Sequence, residues 1–197
     1  MSMTQPGADA SLSSEARRVL GEVTAQLACY DEAVRGLCAT STVRHTNHGT
    51  FRTLPDEGPE QIEERIDTPE AQIQNDMLPL IAGSSYEREE LPASHANELS
   101  IRVTSWASVP DDGGEIEGAD LMFTREPAQL VQAILHPPAF SGIVGFMVEH
   151  ISNEVLFGYV NGVPLPVKTR TRMRSRGIGR FRIDQESSAT IRYEPCG

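Results

Sequence analysis

A chain of 197 residues, 39% hydrophobic and 23% charged, is long and apolar enough to bury a core, and its mean hydropathy of −0.32 argues against both a membrane protein and wholesale disorder. Its net charge of −11 disfavours non-specific attachment to nucleic acid or anionic membrane, so any polyanion contact must be local. Cys29, Cys38 and Cys196 are few, odd in number and without CxxC spacing, which predicts reduced thiols and excludes a disulfide framework or a cysteine zinc site.

The N-terminus, MSMTQPGADASLSSEARR, has no basic segment followed by an apolar one, so the expected setting is cytoplasmic, or a particle assembled in the cytoplasm. Residues 1–11 are small and polar and read as a flexible segment. A long helix is then predicted. Ser11 or Ser13 caps it, Glu15 complements its dipole, and Val19, Val23, Leu27, Tyr30, Val34 and Leu37 recur at spacings of three and four. Gly21 and Gly36 weaken it, so a break by about Ala39 is allowed for.

From Thr42 to Leu54, β-branched and aromatic residues flank Asn47-His48-Gly49, the pattern of a short hairpin. Asp56 to Glu70 then carries seven acidic residues against one arginine. Pro59 and Thr68-Pro69 are placed to start short helices, the second burying Ile73, Met77, Leu78, Leu80 and Ile81. Gly83 to Ala96 reads as a solvated connection. Leu99, Ile101 and Val103 alternate with polar residues, which predicts a strand over 98–109, and Asp111 to Gly114 turns the chain into another over 116–123. Thr124 to Pro127 reads as a helix start with Leu130, Val131, Ile134 and Leu135 inward. Strands are expected over 143–151, 155–160 and 190–193, with Asn161-Gly162 as a two-residue hairpin turn.

The chain's charge is unevenly spread. Lys168 to Arg182, KTRTRMRSRGIGRFR, holds seven of the 17 basic residues and no acidic one, leaving 10 basic against 28 acidic residues elsewhere, a net of −18. Period-two spacing puts Lys168, Arg170, Arg172, Arg174 and Arg176 on one face of a strand. Built outward from Asn161-Gly162, the register sets Val160 opposite Val163, Tyr159 opposite Pro164, Phe157 opposite Pro166 and Val155 opposite Lys168. Phe157 and Tyr159 then share the cationic face, unless a bulge intervenes. Pro164 and Pro166 deny one flank its hydrogen bonds, which predicts a sheet edge and a projecting ribbon. Gly177-Ile178-Gly179 would close that ribbon with Arg176 opposite Arg180 and Arg174 opposite Arg182. Facing like charges ask for compensation, from water and carboxylates such as Glu154 or from another molecule.

Other chemistry is thinly signalled. Cys38, His45 and His48 form C-x6-H-x2-H without a fourth ligand, and adjacent strand residues Glu149 and His150 point to opposite faces. No metal and no cofactor is expected. There is no G-x-S-x-G, GxxxxGK[ST] or HExxH motif.

The reading is an α+β fold: a long N-terminal helix and shorter helices on a mostly antiparallel sheet, ending in a meander with a projecting arginine hairpin. Residues 12–197 form one domain with an acidic insertion at about 55–97. The expected function is a non-catalytic protein-binding or assembly subunit, a homo-oligomer or phage-like particle, that docks an acidic surface through Lys168, Arg170, Arg172, Arg174, Arg176, Arg180, Arg182, Phe157 and Tyr159. One alternative is an enzyme for a small anionic substrate, with His45, His48 or His150 as acid or base. The other is single-stranded nucleic-acid binding by arginines beside aromatic rings, which the −18 outside the ribbon opposes. No membrane partner is expected.

Overall fold

A computed structural model describes residues 11–49, 62–66, 72–105, 118–136, 148–175 and 182–196. In chain order the elements are α1 (Ser14–Ala28), α2 (Tyr30–Ala33), β1 (Leu37–Asn47), β2 (Ile62–Ile66), α3 (Gln72–Ala82), β3 (Tyr86–Leu91), β4 (Glu98–Ser105), β5 (Gly118–Thr124), β6 (Gln129–His136), β7 (Val148–Val160), β8 (Val163–Ser175) and β9 (Asp184–Pro195). The strands form one nine-stranded sheet in the order β2-β1-β9-β8-β7-β6-β5-β4-β3, antiparallel throughout. Among the described residues no helix is long and apolar enough to cross a membrane.

This architecture overturns the α+β expectation. Among the described residues the helices are three and short, and α1 ends at Ala28 where a long N-terminal helix was expected. Ser13 caps α1 as the sequence suggests, its Oγ accepting from the Ala16 N–H at 3.1 Å. The helix nevertheless stops at Ala28, and Gly36, with φ 77°, turns the chain into β1. Val34 and Leu37 are buried as the helical stripe requires, yet they lie beyond the helices. The β-branched run Thr40, Thr42, Val43 and Thr46 belongs to a strand that pairs along its whole length with β9, a partner about 150 residues away that no local pattern reveals.

Three further expectations change in the same direction. The segment read as a helix after Thr124 is β6, whose Leu130 and Ala133 point to the core and whose Pro127 sits in the turn before it. The segment read as a solvated connection contains β3, an edge strand with Glu87 and Glu89 outward. Its buried Arg88 points inward and donates to the carbonyls of Leu80 at 2.9 Å, Gly83 at 2.6 Å and Pro79 at 3.4 Å, satisfying the C-terminal end of α3. The acidic stretch after Asp56 holds β2 rather than a first short helix, paired with β1 from Ala39↔Ile66 to Val43↔Ile62. Thr68-Pro69 and the turn at 111–114 lie outside the described residues.

The main core lies between α1 and α3 on one side and β4, β5, β6 and β7 on the other, filled by Val19, Val23, Leu27, Leu80, Leu99, Ile101, Leu121, Phe123, Leu130 and Phe157. Each fully buried side chain of this kind stabilises the fold by roughly 1.5–3 kcal/mol. A second cluster, Tyr30, Val34, Leu37, Val163 and Leu165, gathers around α2 beside the β7–β8 turn. There the Asn161 amide donates to the Ala33 carbonyl at 2.8 Å. Asn161 at φ 51° and Gly162 at φ 83° form the two-residue turn that Asn-Gly favours.

The thiols are not all reduced. Cys38 and Cys196, 158 positions apart in sequence, form a disulfide with Cα atoms 5.0 Å apart, while Cys29 is free and exposed. Only the β1–β9 pairing, which sets Cys38 opposite Glu194, brings these two cysteines together.

Candidate functional site

From Asn161-Gly162 outward, β7 and β8 follow the predicted register for three pairs: Val160↔Val163, Tyr159↔Pro164 and Phe157↔Pro166. A bulge at Val167, which packs against Gly158, then shifts the ladder so that Leu156 opposes Lys168 and Val155 opposes Thr169. Directly opposed residues share a face. Phe157 and Val155 face α1 and the main core, so Lys168, Arg170, Arg172 and Arg174 lie on the other face of the sheet with Leu156, Glu154 and Ser152.

The bulge therefore separates the aromatics from the arginines. Phe157 is buried, and the Tyr159 hydroxyl accepts from the Leu130 N–H at 2.8 Å and donates to Gln26 Oε1 at 3.1 Å. Burial pushes the Tyr159 hydroxyl up to about 12. Neither ring is available to stack a base beside the arginines.

The projecting ribbon is also corrected. β8 is interior, between β7 and β9, and β9 is covered along its length by β1. The proline argument holds locally: the β8–β9 ladder runs from Lys168↔Thr190 to Arg174↔Asp184 and leaves Pro164 and Pro166 outside it. In that register Arg174 opposes Asp184 and Arg172 opposes Glu186, so opposite charges face each other where like charges were expected. Arg176 and Arg180 lie outside the described residues. Arg182 is exposed beyond the ladder, its carbonyl so close to Gly49 that a Cβ there would collide with it.

Arg170 and Arg172 reach diagonally, and Arg174 directly across, to a β9 carboxylate. Arg170 donates to Glu186 Oε2 at 2.7 Å, Arg172 donates to both Asp184 oxygens at 3.2 and 3.3 Å, and Arg174 donates to Asp184 Oδ2 at 3.4 Å. The hydrogen bond from Arg172, with Arg174 adding charge, holds the Asp184 carboxyl below its usual range, and the bond from Arg170 does the same for Glu186. Glu154, opposite Arg170, accepts from Gln132 Nε2 at 2.6 Å and lines with Ser152 and the three arginines a depression of about 250 Å³. The buried Nε of Arg174 has no acceptor among the described residues. Three cations meet three carboxylates, so this end of the face is balanced.

Beside it the balance fails. Thr42, Thr190 and Lys168 form one row across β1, β9 and β8, Ser188 and Arg44 oppose each other in the next row, and Arg192 pairs with Thr40 on the far side. These six residues, Thr42, Arg44, Lys168, Ser188, Thr190 and Arg192, line a second depression of about 350 Å³. Arg44, Lys168 and Arg192 are exposed, and none forms an ion pair among the described residues. Among the described residues no carboxylate lines the depression.

No protein-family model matches this chain, and no curated protein matches it. The chemistry must be read from the residues themselves.

The candidate histidines do not gather at one point on the arginine face. His45 alternates with Arg44 along β1 and so faces the other side of the sheet, and His48 follows the end of the strand, its N–H donating to the Asp184 carbonyl at 2.7 Å. His150 stands opposite Arg174 in the ladder. His136 does lie on the arginine face, 3.4 Å from Asp120, but Asp120 is gripped by Arg102 at 2.8 and 3.1 Å. Cys38 is committed to its disulfide, and among the described residues no cluster of three or more His, Cys, Asp or Glu is arranged to hold a metal ion.

Sequence reasoning missed Asp184, Glu186, Arg44 and Arg192. The alternation of Asp184 and Glu186 immediately after the basic run was a usable signal once their strand is known to pair with it. Arg44 had none, because it comes from a strand remote in sequence.

Proposed function

We propose that this chain is a non-catalytic binding or assembly subunit that docks an acidic protein surface, that of a second copy, on the arginine face. The observation that carries the reading is the cationic depression at Arg44, Lys168 and Arg192: three exposed cations with no carboxylate among the described lining residues, on a chain of net charge −11. The complementary surface is supplied by the chain's own excess of acid, and electrostatic complementarity of this kind sets register and association rate. The burial of Phe157 and the hydrogen bonds that hold the Tyr159 hydroxyl on the α1 side count against the nucleic-acid reading, and the placement of His45 and His48 counts against an acid–base enzyme. The disulfide favours a compartment where thiols are not kept reduced, against the cytoplasmic expectation.

Sedimentation or size-exclusion mass at low and high salt tests the proposal. The mass is expected to fall at high salt, and in an Arg44→Ser, Lys168→Ser, Arg192→Ser triple variant at low salt. A monomeric mass under every condition would sink it.

A further inference from the structure

We infer that the depression at Arg44, Lys168 and Arg192 is a site for one tetrahedral oxyanion, a phosphate or phosphomonoester group. The inference goes beyond self-docking, because such a site is complete within one chain. All six lining side chains carry hydrogen-bond donors: two guanidinium forks, one ammonium and the hydroxyls of Thr42, Ser188 and Thr190. They stand on three adjacent strands, about 4.8 Å apart, at positions two residues apart along each strand, about 7 Å. All six open onto the same depression, with Lys168 and Thr190 in its middle row and Arg44 and Arg192 in the rows on either side.

The donor set selects among anions. A carboxylate offers two oxygens and one charge, whereas a phosphomonoester carries about −1.5 to −2 and three terminal oxygens. Two Arg forks suit paired oxygens of such a group, Lys168 supplies a point charge, and the hydroxyls fill the remaining lone pairs. Among the described residues no aromatic or aliphatic side chain lines the depression, so this lining suits the anionic group and not a base, a sugar ring or an acyl chain.

The neighbouring arginines sharpen the assignment. Arg170, opposite Ser188, has its guanidinium turned to Glu186, so the anion is not drawn along the ladder toward Arg172 and Arg174. One site is expected, not a track.

Calorimetric titration of the protein with inorganic phosphate, with phenyl phosphate and with acetate, at matched ionic strength and at a protein concentration where the mass is monomeric, tests this directly. Phosphate is expected to bind saturably at one site per chain. A Lys168→Ser, Arg192→Ser double variant should bind at least tenfold more weakly, Thr190→Val should lose a smaller part, and Arg102→Ser should bind unchanged. Tighter binding of phenyl phosphate would assign the group to a larger phosphorylated molecule, and equal binding would assign it to the free anion. The inference is overturned if acetate reproduces the phosphate signal, if the double variant binds like the parent while its melting temperature is unchanged, or if phosphate binds with a stoichiometry above one.

Discussion

The two ends of the arginine face share β8 and β9 and differ in what β9 presents to the cations there. At one end β9 presents Asp184 and Glu186, and Arg170, Arg172 and Arg174 are bonded to them. At the other it presents Ser188, Thr190 and Arg192, and Lys168 and Arg44 face hydroxyls and another cation. Counting arginines along β8 would rank the first end as the binding surface. Counting partners reverses the ranking, because a cation already paired must break that bond before it can meet a ligand.

The largest effect should come from loosening the strands beneath the unbalanced end. Reducing the Cys38–Cys196 disulfide, or replacing both cysteines by Ser, removes the tie between β1 and the end of β9 and is expected to lower stability by about 2–5 kcal/mol. Denaturant unfolding with and without reductant would show it, and the comparison fails if the phosphate signal survives a measurable loosening of β1 from β9. Next, Asp184→Asn leaves Arg172 and Arg174 without their shared carboxylate and should cost about 1–2 kcal/mol. Combined with Glu186→Gln it should create a second cationic patch, read as a second phosphate equivalent in the same titration.

The smallest effect is the pH dependence. Asp184 and Glu186 have folded-state values depressed by their arginines, so they contribute stability that is fully present above the ordinary carboxylate range, about 4, and lost as pH falls through the depressed values. Melting temperature against pH should fall less steeply below that range in the Asp184→Asn, Glu186→Gln variant than in the parent. Equal slopes would mean that the ion pairs at the balanced end contribute nothing.

Much of the strand pattern was legible because it is local. Asn161-Gly162 marks its own turn, and Leu99, Ile101 and Val103 alternate toward a core whichever strands lie beside them. The Leu130 to Leu135 segment was misread because a short apolar run satisfies both periods, and only the pairing of Ala133 with Leu121 and Val155 selects the strand. Val34 and Leu37 misled for a related reason: burial by tertiary contact left a helical spacing in residues that are not helical. In the site, Lys168 to Arg174 could be placed on one face by alternation alone, but Val167 decided which face, and a bulge has no sequence signature of its own here.

By itself, then, the amino-acid order determined that a period-two row of cations exists, that the rest of the chain is strongly acidic, and where the chain must turn. Those are properties of neighbouring residues and of sums. Tertiary structure alone decided which of the cations are neutralised, because that depends on which strand lies alongside. β9 slides past β8 in a register that puts two carboxylates against three arginines, and β1 arrives from the far end of the sequence to set Arg44 beside Lys168 and Arg192.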